Sequence, residues 1–551
     1  MSLFLVLLAA KIAGGHTGWS PAYFWQDAAV ALALLVAERR RALYWTVAVY
    51  AAINVPVVRA VGTPLTGPML RAARGPLADS MRHYVNWPNA AAVALVLAVA
   101  AVAPLVLVRV RQRWAACGLA AIVAVGLAAP GVPGGLGRNA WTALIPRMAP
   151  RSGTEEWRAT GFGGERSDEL LRFRGQAAGR NVVMVSLEST AAQYLGLYGA
   201  SPDPTPNLSA LARHAIMFDN AYAVYPESIK GLFSILCSEY PAFDSAAEEY
   251  AQAPCRSVAG ALGAAGYRTA LFHSGRFGYL GMDAVIRNRG FSLLEDAGDI
   301  GGVRESSFGV DEPSTVARIL RWIDALPNGQ RFFVTYLPIA GHHPYETPRA
   351  GPFDDRTDFG RYRNALRYGD ESLGALMHGL AERGLGDRTL WIVMGDHGEA
   401  FGQHEGNFGH TFAVYEENVH VPLLAAAPGL IEGTVRHNAV VSLIDVAPTL
   451  LDLAGVRAPD GYQGRSALAG EPRMALFFAD YSMGMLGLRD GSRKFIYEIE
   501  SRRGRLYDLD RDPGERRDVA AAFPAPARWY AQDLRSWSAA QRTRLRAAGI
   551  Q

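Results

Sequence analysis

The apolar residues of this chain are unevenly distributed, and that unevenness constrains its fold more than any other feature. Up to about Pro130 the sequence is dominated by Ala, Val and Leu; beyond it, charged residues and Gly/Pro turns recur regularly. A helix needs about 20 apolar residues to cross a hydrocarbon core. Four segments approach that length: Tyr23–Ala37, Leu43–Val61, Asn89–Val108 and Trp114–Ala129. A fifth, Ser2–Gly15, is shorter and carries Lys11, and it lacks the basic leading region and cleavage site of a signal peptide. Several such runs, separated by short basic loops, read as a bundle of four to five transmembrane helices over residues 1–130. Paired intramembrane charges, which a transporter would need, are mostly lacking; Lys11 and Asp27, near helix ends, are the exceptions.

Arginines set the orientation. Arg39, Arg40 and Arg41 follow one segment, and Arg109, Arg111 and Arg113 follow another. Loops on the cytoplasmic side carry this excess. Arg71, Arg74 and Arg82 in the loop 62–87 weaken the contrast without reversing it. Everything after about Pro130 is therefore expected outside the cytoplasm. There Cys237 and Cys255 are expected to form a disulfide, since such bonds persist in oxidising compartments. With 55 basic and 52 acidic residues, the chain carries no field that would favour nucleic acid.

Residues 131–180, rich in Gly, Pro and Arg, read as a connector with an amphipathic stretch near Trp141–Met148. From Asn181 onward, compact apolar runs alternate with helical periodicity. Asn181–Leu187, Thr269–Phe272, Phe332–Leu337, Thr389–Met394 and Val421–Ala426 have the composition of strands covered on both faces. Val258–Ala265, ended by Gly266, and Asn364–Arg383, ended by Gly384, read as helices with glycine stops. The alternation predicts a parallel α/β sheet with helices on both sides.

In such sheets functional groups collect where strands end. Glu188 follows the first strand, His273 and Arg276 another, His342 a third, and Asp396 with His397 a fourth. Oxygen and nitrogen donors converging from separate rigid strands are what a divalent cation needs. Alone, each has an ordinary reading: a helix-start glutamate, a Gly-Asp-His-Gly turn. Their joint occurrence at successive strand ends carries the weight. Ser228 opens a helical stretch, where a serine is most often an N-cap. The same position also suits a metal-activated nucleophile facing an ester anion, because helix N-termini favour negative charge. Lys230, two residues on, is placed to neutralise an oxygen of the transferring group.

The segments NVVMVSLESTAAQYLGLYG, TPNLSALARHAIMFDNAYA, GYRTALFHSGRF, GHHPY, GDHGEAFGQHEGNFGHTFAVYEENVHVPL and VSLIDVAPTLLDLAG, in this order, resemble the sulfatase-like branch of the alkaline phosphatase superfamily. LYDLDRDPGERRDVA is similar to that family's terminal subdomain. With the membrane anchor, the architecture resembles the lipoteichoic-acid synthase, phosphoglycerol transferase and phosphoethanolamine transferase group. The resemblance implies an α/β fold with a mixed sheet flanked by helices, a catalytic domain over 181–460 and a small C-terminal subdomain over 461–551. It implies one divalent cation (Mn, Mg, Zn or Ca) held by Glu188, Ser228, Asp396 and His397, with Ser228 also the nucleophile. It implies catalytic and substrate roles for His342 and His410, substrate contacts for Arg276 and Lys230, and supporting roles for His343, His404, Glu416 and Glu417.

One departure separates subgroups. Sulfatases carry C-x-P-x-R or S-x-P-x-R, whose first residue becomes formylglycine; here Ser228 begins Ser-Ile-Lys-Gly-Leu. An unmodified serine suits a phospho-enzyme. The expected activity is therefore a membrane-anchored, metal-dependent phosphotransferase or phosphodiesterase. It would move a phospholipid head group to an envelope glycan or lipid acceptor, from a multi-pass position in a bacterial inner membrane with the catalytic domain outside. Sulfate-ester hydrolysis is the alternative enzymatic reading, and an inactive membrane-anchored binding or sensor protein the non-enzymatic one.

Overall fold

The computed structural model describes residues 1–15, 21–35, 40–72, 85–106, 111–129, 137–145, 167–303, 309–481 and 483–547. Arg39, Arg74, Arg82 and Arg109, and most of the 131–180 connector, lie outside the described residues. The chain divides into two compact units.

The first unit comprises Met1–Met148 with Gly402–Phe412 and Tyr481–Gly484. Its longer helices are α1 (Ser2–Ala13), α2 (Trp25–Ala33), α3 (Arg41–Val61), α4 (Trp87–Val106) and α5 (Gln112–Ala128). Helix α1 packs on α3 and α4, and α2 packs on α5. Alanines 48, 51, 52, 92 and 100 let the backbones approach, with Leu3, Val6, Tyr44, Val47 and Val96 filling between them. Two helices, Arg41–Ala60 and Trp87–Val106, are long and apolar enough to cross a membrane; α1 and α5 are apolar but shorter. Their outward faces are apolar too, with Ile53, Leu95, Leu105 and Leu127 all more than half exposed. A helix apolar all round is not the surface helix of a water-soluble domain. Lys11 and Asp27 are buried and paired with one another at 2.5 Å, and the Asn139 amide donates to Asp27 at 2.6 Å.

The second unit comprises Ala149–Phe401, Ala413–Asp480 and Met485–Gln551. Its main sheet contains β1 (Asn181–Leu187), β2 (His214–Tyr222), β3 (Arg268–His273), β4 (Leu293–Glu295), β5 (Phe332–Leu337), β6 (Thr389–Gly395), β7 (His420–Val421), β8 (Leu423–Ala426) and β9 (Gly433–Ser442). The order is β9-β2-β8-β6-β1-β5-β3-β4, with β7 paired to β2. Strand β8 runs antiparallel to both neighbours, so the sheet is mixed, not parallel throughout. Strands β1, β5 and β6 are buried along almost their whole length.

Helices cover both faces. One side carries α6 (Ser228–Cys237) and, further along the chain, Val258–Ala264 and Val446–Leu453, around Phe233, Leu236, Leu262 and Leu450. The other carries α7 (Glu312–Asp324) and α8 (Asp358–Glu382) around Tyr336, Tyr362, Leu376 and Trp391. Full burial of each such side chain contributes about 1.5–3 kcal/mol. Helix α8 starts where the Thr357 hydroxyl accepts the Gly360 amide and stops before Gly384, whose φ is +66°.

Helix α9 (Glu416–Val419) precedes β7. A four-stranded antiparallel sheet follows, β10 (Met474–Ala479), β11 (Met485–Asp490), β12 (Arg493–Glu498) and β13 (Arg503–Asp508), in sequential order. Helix α10 (Pro524–Ala547) covers it through Tyr530, Leu534 and Trp537. Cys237, at the end of α6, is disulfide-bonded to Cys255. Closing a loop of this length contributes about 3 kcal/mol in the chain-entropy account.

Candidate active site

Strands β1 and β6 are adjacent, parallel and in register, with Leu187 opposite Gly395. Each is followed at once by a carboxylate: Glu188 after β1, Asp396 after β6. His397 comes next. All three are buried, His397 completely. Each offers a ligand atom within 4.8 Å of the others.

The serine arrives from outside the sheet. Glu227, not Ser228, caps α6: its carboxylate accepts the Ile229 and Lys230 amides at 3.1 and 3.4 Å. Ser228 is thereby released from capping. Its hydroxyl donates to Glu188 Oε2 at 2.9 Å and lies 3.2 Å from His397 Nε2. The four groups expected from the sequence to share a cation therefore meet.

Their local chemistry fits a divalent cation. The Gly398 carbonyl, which can only accept, lies 2.9 Å from His397 Nδ1. That bond keeps a proton on Nδ1, so that the ring, once it gives up its other proton, presents the Nε2 lone pair to the cluster. Burial, and then the Glu188 charge, push the Asp396 carboxyl well above its ordinary value. Burial pulls His397 down, but the charges of Asp396 and Glu188 outweigh it and raise the imidazole overall. Two carboxylates in one dry space demand positive charge, and a divalent cation supplies it with the donor types present.

Ser189 was not singled out in the sequence, yet it organises both carboxylates. Its amide donates to Asp396 Oδ1 at 2.9 Å and its hydroxyl to Glu188 Oε1 at 3.0 Å. It does so with φ +53°, a left-handed backbone that costs a non-glycine residue about 1–2 kcal/mol. Tyr362 holds that conformation, its hydroxyl donating to the Ser189 carbonyl at 2.6 Å. Gly341, in the loop after β5, also supports the site. A β-carbon there would stand 2.1 Å from the Glu188 carbonyl oxygen. Gly341→Ala is accordingly expected to destabilise the protein by about 1–3 kcal/mol and to weaken metal binding, as measured by urea unfolding and Mn²⁺ titration.

The remaining candidates divide. His342 lies near the cluster, with a ring nitrogen within 4.8 Å of a Glu188 carboxylate oxygen. His342 Nδ1 donates to the His343 carbonyl at 2.6 Å. His273 is buried at the end of β3, its Nδ1 donating to the Leu337 carbonyl at 2.9 Å. Arg276 is half-buried just beyond that strand. His404 and His410 fall in the segment 402–412, within the first unit. Lys230, expected to face a phosphoryl oxygen, is instead buried against Asp480 at 2.9 Å. Glu416, the first residue of the short helix before His420, pairs with Lys494 of the C-terminal sheet at 2.9 Å.

The sulfatase family model matches residues 180–456, and the model described as N-sulphoglucosamine sulphohydrolase, C-terminal, matches residues 402–525. Arylsulfatase K of Bos taurus is 31% identical over 186 residues, covering 30% of this chain and 34% of its own. The lipoteichoic acid synthase-like protein YvgJ of Bacillus subtilis is 25% identical over 316 residues, covering 54% of this chain and 51% of its own. The chain thus spans between a third and a half of the length of these relatives. The crystal structure of the lipoteichoic acid synthase LtaP from Listeria monocytogenes superposes with a TM-score of 0.58 at 18% identity, over 70% of this chain and 96% of that one. At that identity the likeness shows the fold.

Proposed function

The chain belongs to the sulfatase family, an enzyme family of the alkaline phosphatase superfamily, and from that membership we propose that it is a membrane-anchored phosphotransferase or phosphodiesterase acting on phospholipid head groups. One observation carries the reading: the Ser228 hydroxyl sits against Glu188 and His397 at the start of a helix, in a segment without the proline and arginine of the formylglycine motif. The apolar outward faces of α3 and α4 support a membrane position, and the basic residues Arg40, Arg41, Arg111 and Arg113 support a multi-pass inner-membrane topology with the second unit outside.

Glu188, Asp396, His397 and Ser228 would hold a divalent cation, which when bound lowers the pKa of a coordinated hydroxyl and takes up negative charge on a phosphoryl oxygen. The other steps belong to side chains. Glu188, already accepting the Ser228 hydrogen bond, is the first acceptor of that proton. Ser228 Oγ attacks phosphorus, and the bond from phosphorus to the diacylglycerol oxygen breaks. His342 protonates the departing oxygen. A glycan or lipid hydroxyl, or water, then gives its proton to that histidine as it attacks the same phosphorus; the bond from phosphorus to Ser228 Oγ breaks, and Oγ takes back the proton held by Glu188.

Incubating the full-length protein in Mn²⁺-containing nanodiscs with head-group-labelled phosphatidylglycerol or phosphatidylethanolamine tests this reading. Release of diacylglycerol together with labelled head group is expected, alongside a Ser228 peptide of unmodified mass. The likeness to arylsulfatase K favours the second reading, sulfate-ester hydrolysis. A formylglycine mass at Ser228, with turnover of sulfate esters alone, would establish that reading in its place.

A further inference from the structure

Lys230 is the residue whose structural position departs furthest from its sequence reading, and its surroundings lead to a different assignment. Its ammonium donates to both carboxylate oxygens of Asp480, at 3.1 and 2.9 Å. The Tyr225 hydroxyl donates to the same carboxylate at 2.6 Å, and the Asp244 amide does so at 2.6 Å. Four hydrogen bonds thus converge on one carboxylate that is only 6% exposed. The Lys230 ammonium also lies 4.7 Å from the centre of the Tyr225 ring.

Two of these donors bracket the serine: Tyr225 precedes Ser228 by three residues, and Lys230 follows it by two. Asp480 follows directly after β10, whose Phe478 amide donates to the Val224 carbonyl at 3.0 Å. The Phe478 ring packs on Tyr225 with centroids 5.0 Å apart. The C-terminal sheet therefore grips the serine's loop at Val224, Tyr225 and Lys230. Behind Ser228 the first turn of α6 is close to the β6 loop: a β-carbon on Gly231 would lie 3.8 Å from the Asp396 carbonyl oxygen. A shift of that turn moves the hydroxyl relative to Glu188 and His397. A buried ion pair is weak grounds for overall stability but a good device for fixing one arrangement.

We propose that Asp480 is a positioning residue: through Lys230 and Tyr225 it holds the Ser228 hydroxyl at the metal-binding cluster, so that the C-terminal subdomain completes the active site. This rests on the reading of Ser228 as ligand and nucleophile given above. A residue acting through Ser228 must lose its effect once the hydroxyl is gone, whereas a residue that merely supports the fold must not.

A double-mutant cycle on Mn²⁺ affinity, measured by calorimetry on the full-length protein, separates the two. D480N is expected to weaken Mn²⁺ binding about tenfold in the wild-type background and to have no effect in the S228A background. Because D480N leaves a buried ammonium unpaired, the neutral pair K230M/D480N is taken through the same cycle. On a phosphodiester substrate both variants are expected to lose kcat at least tenfold with KM within twofold of wild type. Equal weakening by D480N in both backgrounds would assign Asp480 to general stability and overturn the proposal. S228A weakened with D480N unchanged would overturn it while leaving the reading of Ser228 intact. S228A binding Mn²⁺ as tightly as wild type would remove Ser228 from the ligand set, and the proposal with it.

Discussion

Replacing Ser228 by alanine is expected to reduce turnover at least ~10³-fold while leaving the fold unchanged. The size of the effect follows from the absence of a substitute: among the described residues, Ser228 is the hydroxyl placed against both Glu188 Oε2 and His397 Nε2. Ser189, the nearest alternative, already spends its hydroxyl on Glu188 Oε1 and is completely buried. The fold should survive because Glu227 caps α6, so the helix start does not depend on the serine side chain. The check is a comparison of kcat with the thermal midpoint. Turnover within tenfold of wild type, at an unchanged midpoint, would exclude Ser228 as nucleophile.

The largest effect on stability is expected from Lys494→Met. Lys494 is fully buried and bridges two carboxylates, Glu416 at 2.9 Å and Glu515 at 3.0 Å. Glu515 also accepts the Glu416 amide at 2.6 Å. Removing the cation leaves two acids facing one another away from water, a loss of about 3–5 kcal/mol. Urea unfolding is expected to show a lowered midpoint at an unchanged slope. The acid side carries a second signature. Burial raises the Glu416 carboxyl, but Lys494, His420 and Arg489 outweigh it and hold it below the ordinary glutamate value. A depressed carboxylate contributes stability that is present above its unfolded pKa and lost as pH falls below it. Burial pushes Glu515 the opposite way, so its own contribution declines as pH rises past the ordinary value. Of these two acids it is Glu416 that contributes to the acid-side decline, and that contribution should be lost in Lys494→Met. The damage would also reach the site, since the Asn418 carbonyl, two residues on in α9, accepts the amide of Gly398 next to His397.

The sequence was most informative where burial is symmetrical. Strands β1, β5 and β6 are covered on both faces and so stand out as unbroken apolar runs. Strand β2 begins at an exposed residue and carries Asp219 and Asn220, and β9 is exposed over much of its first half, so neither shows such a run. An apolar run also carries no direction, which is why the antiparallel course of β8 emerges only from its pairing. The donors at strand ends were legible because sheet topology brings strand ends together. Partners supplied from far along the chain were not. Lys230 reads as a cation two residues from a nucleophile, and nothing nearby indicates that Asp480, 250 residues later, takes it up. The capping role, which is usual for a serine at a helix start, belongs here to the glutamate before it.

The in-register pairing of β1 with β6 has a consequence for how such a chain can change over time. Glu188 and Asp396 are the first residues beyond the matched pair Leu187 and Gly395, so the distance between them follows from the spacing of neighbouring strands, about 4.8 Å. That dimension belongs to the main chain and is indifferent to which apolar side chains fill the layers above and below. Substitution of those side chains can therefore go far without altering the gauge between the two acids. Loss or gain of one residue in either strand is another matter. It would slide one acid along its neighbour and turn it to the opposite side of the sheet, a change that no compensating side chain could reverse.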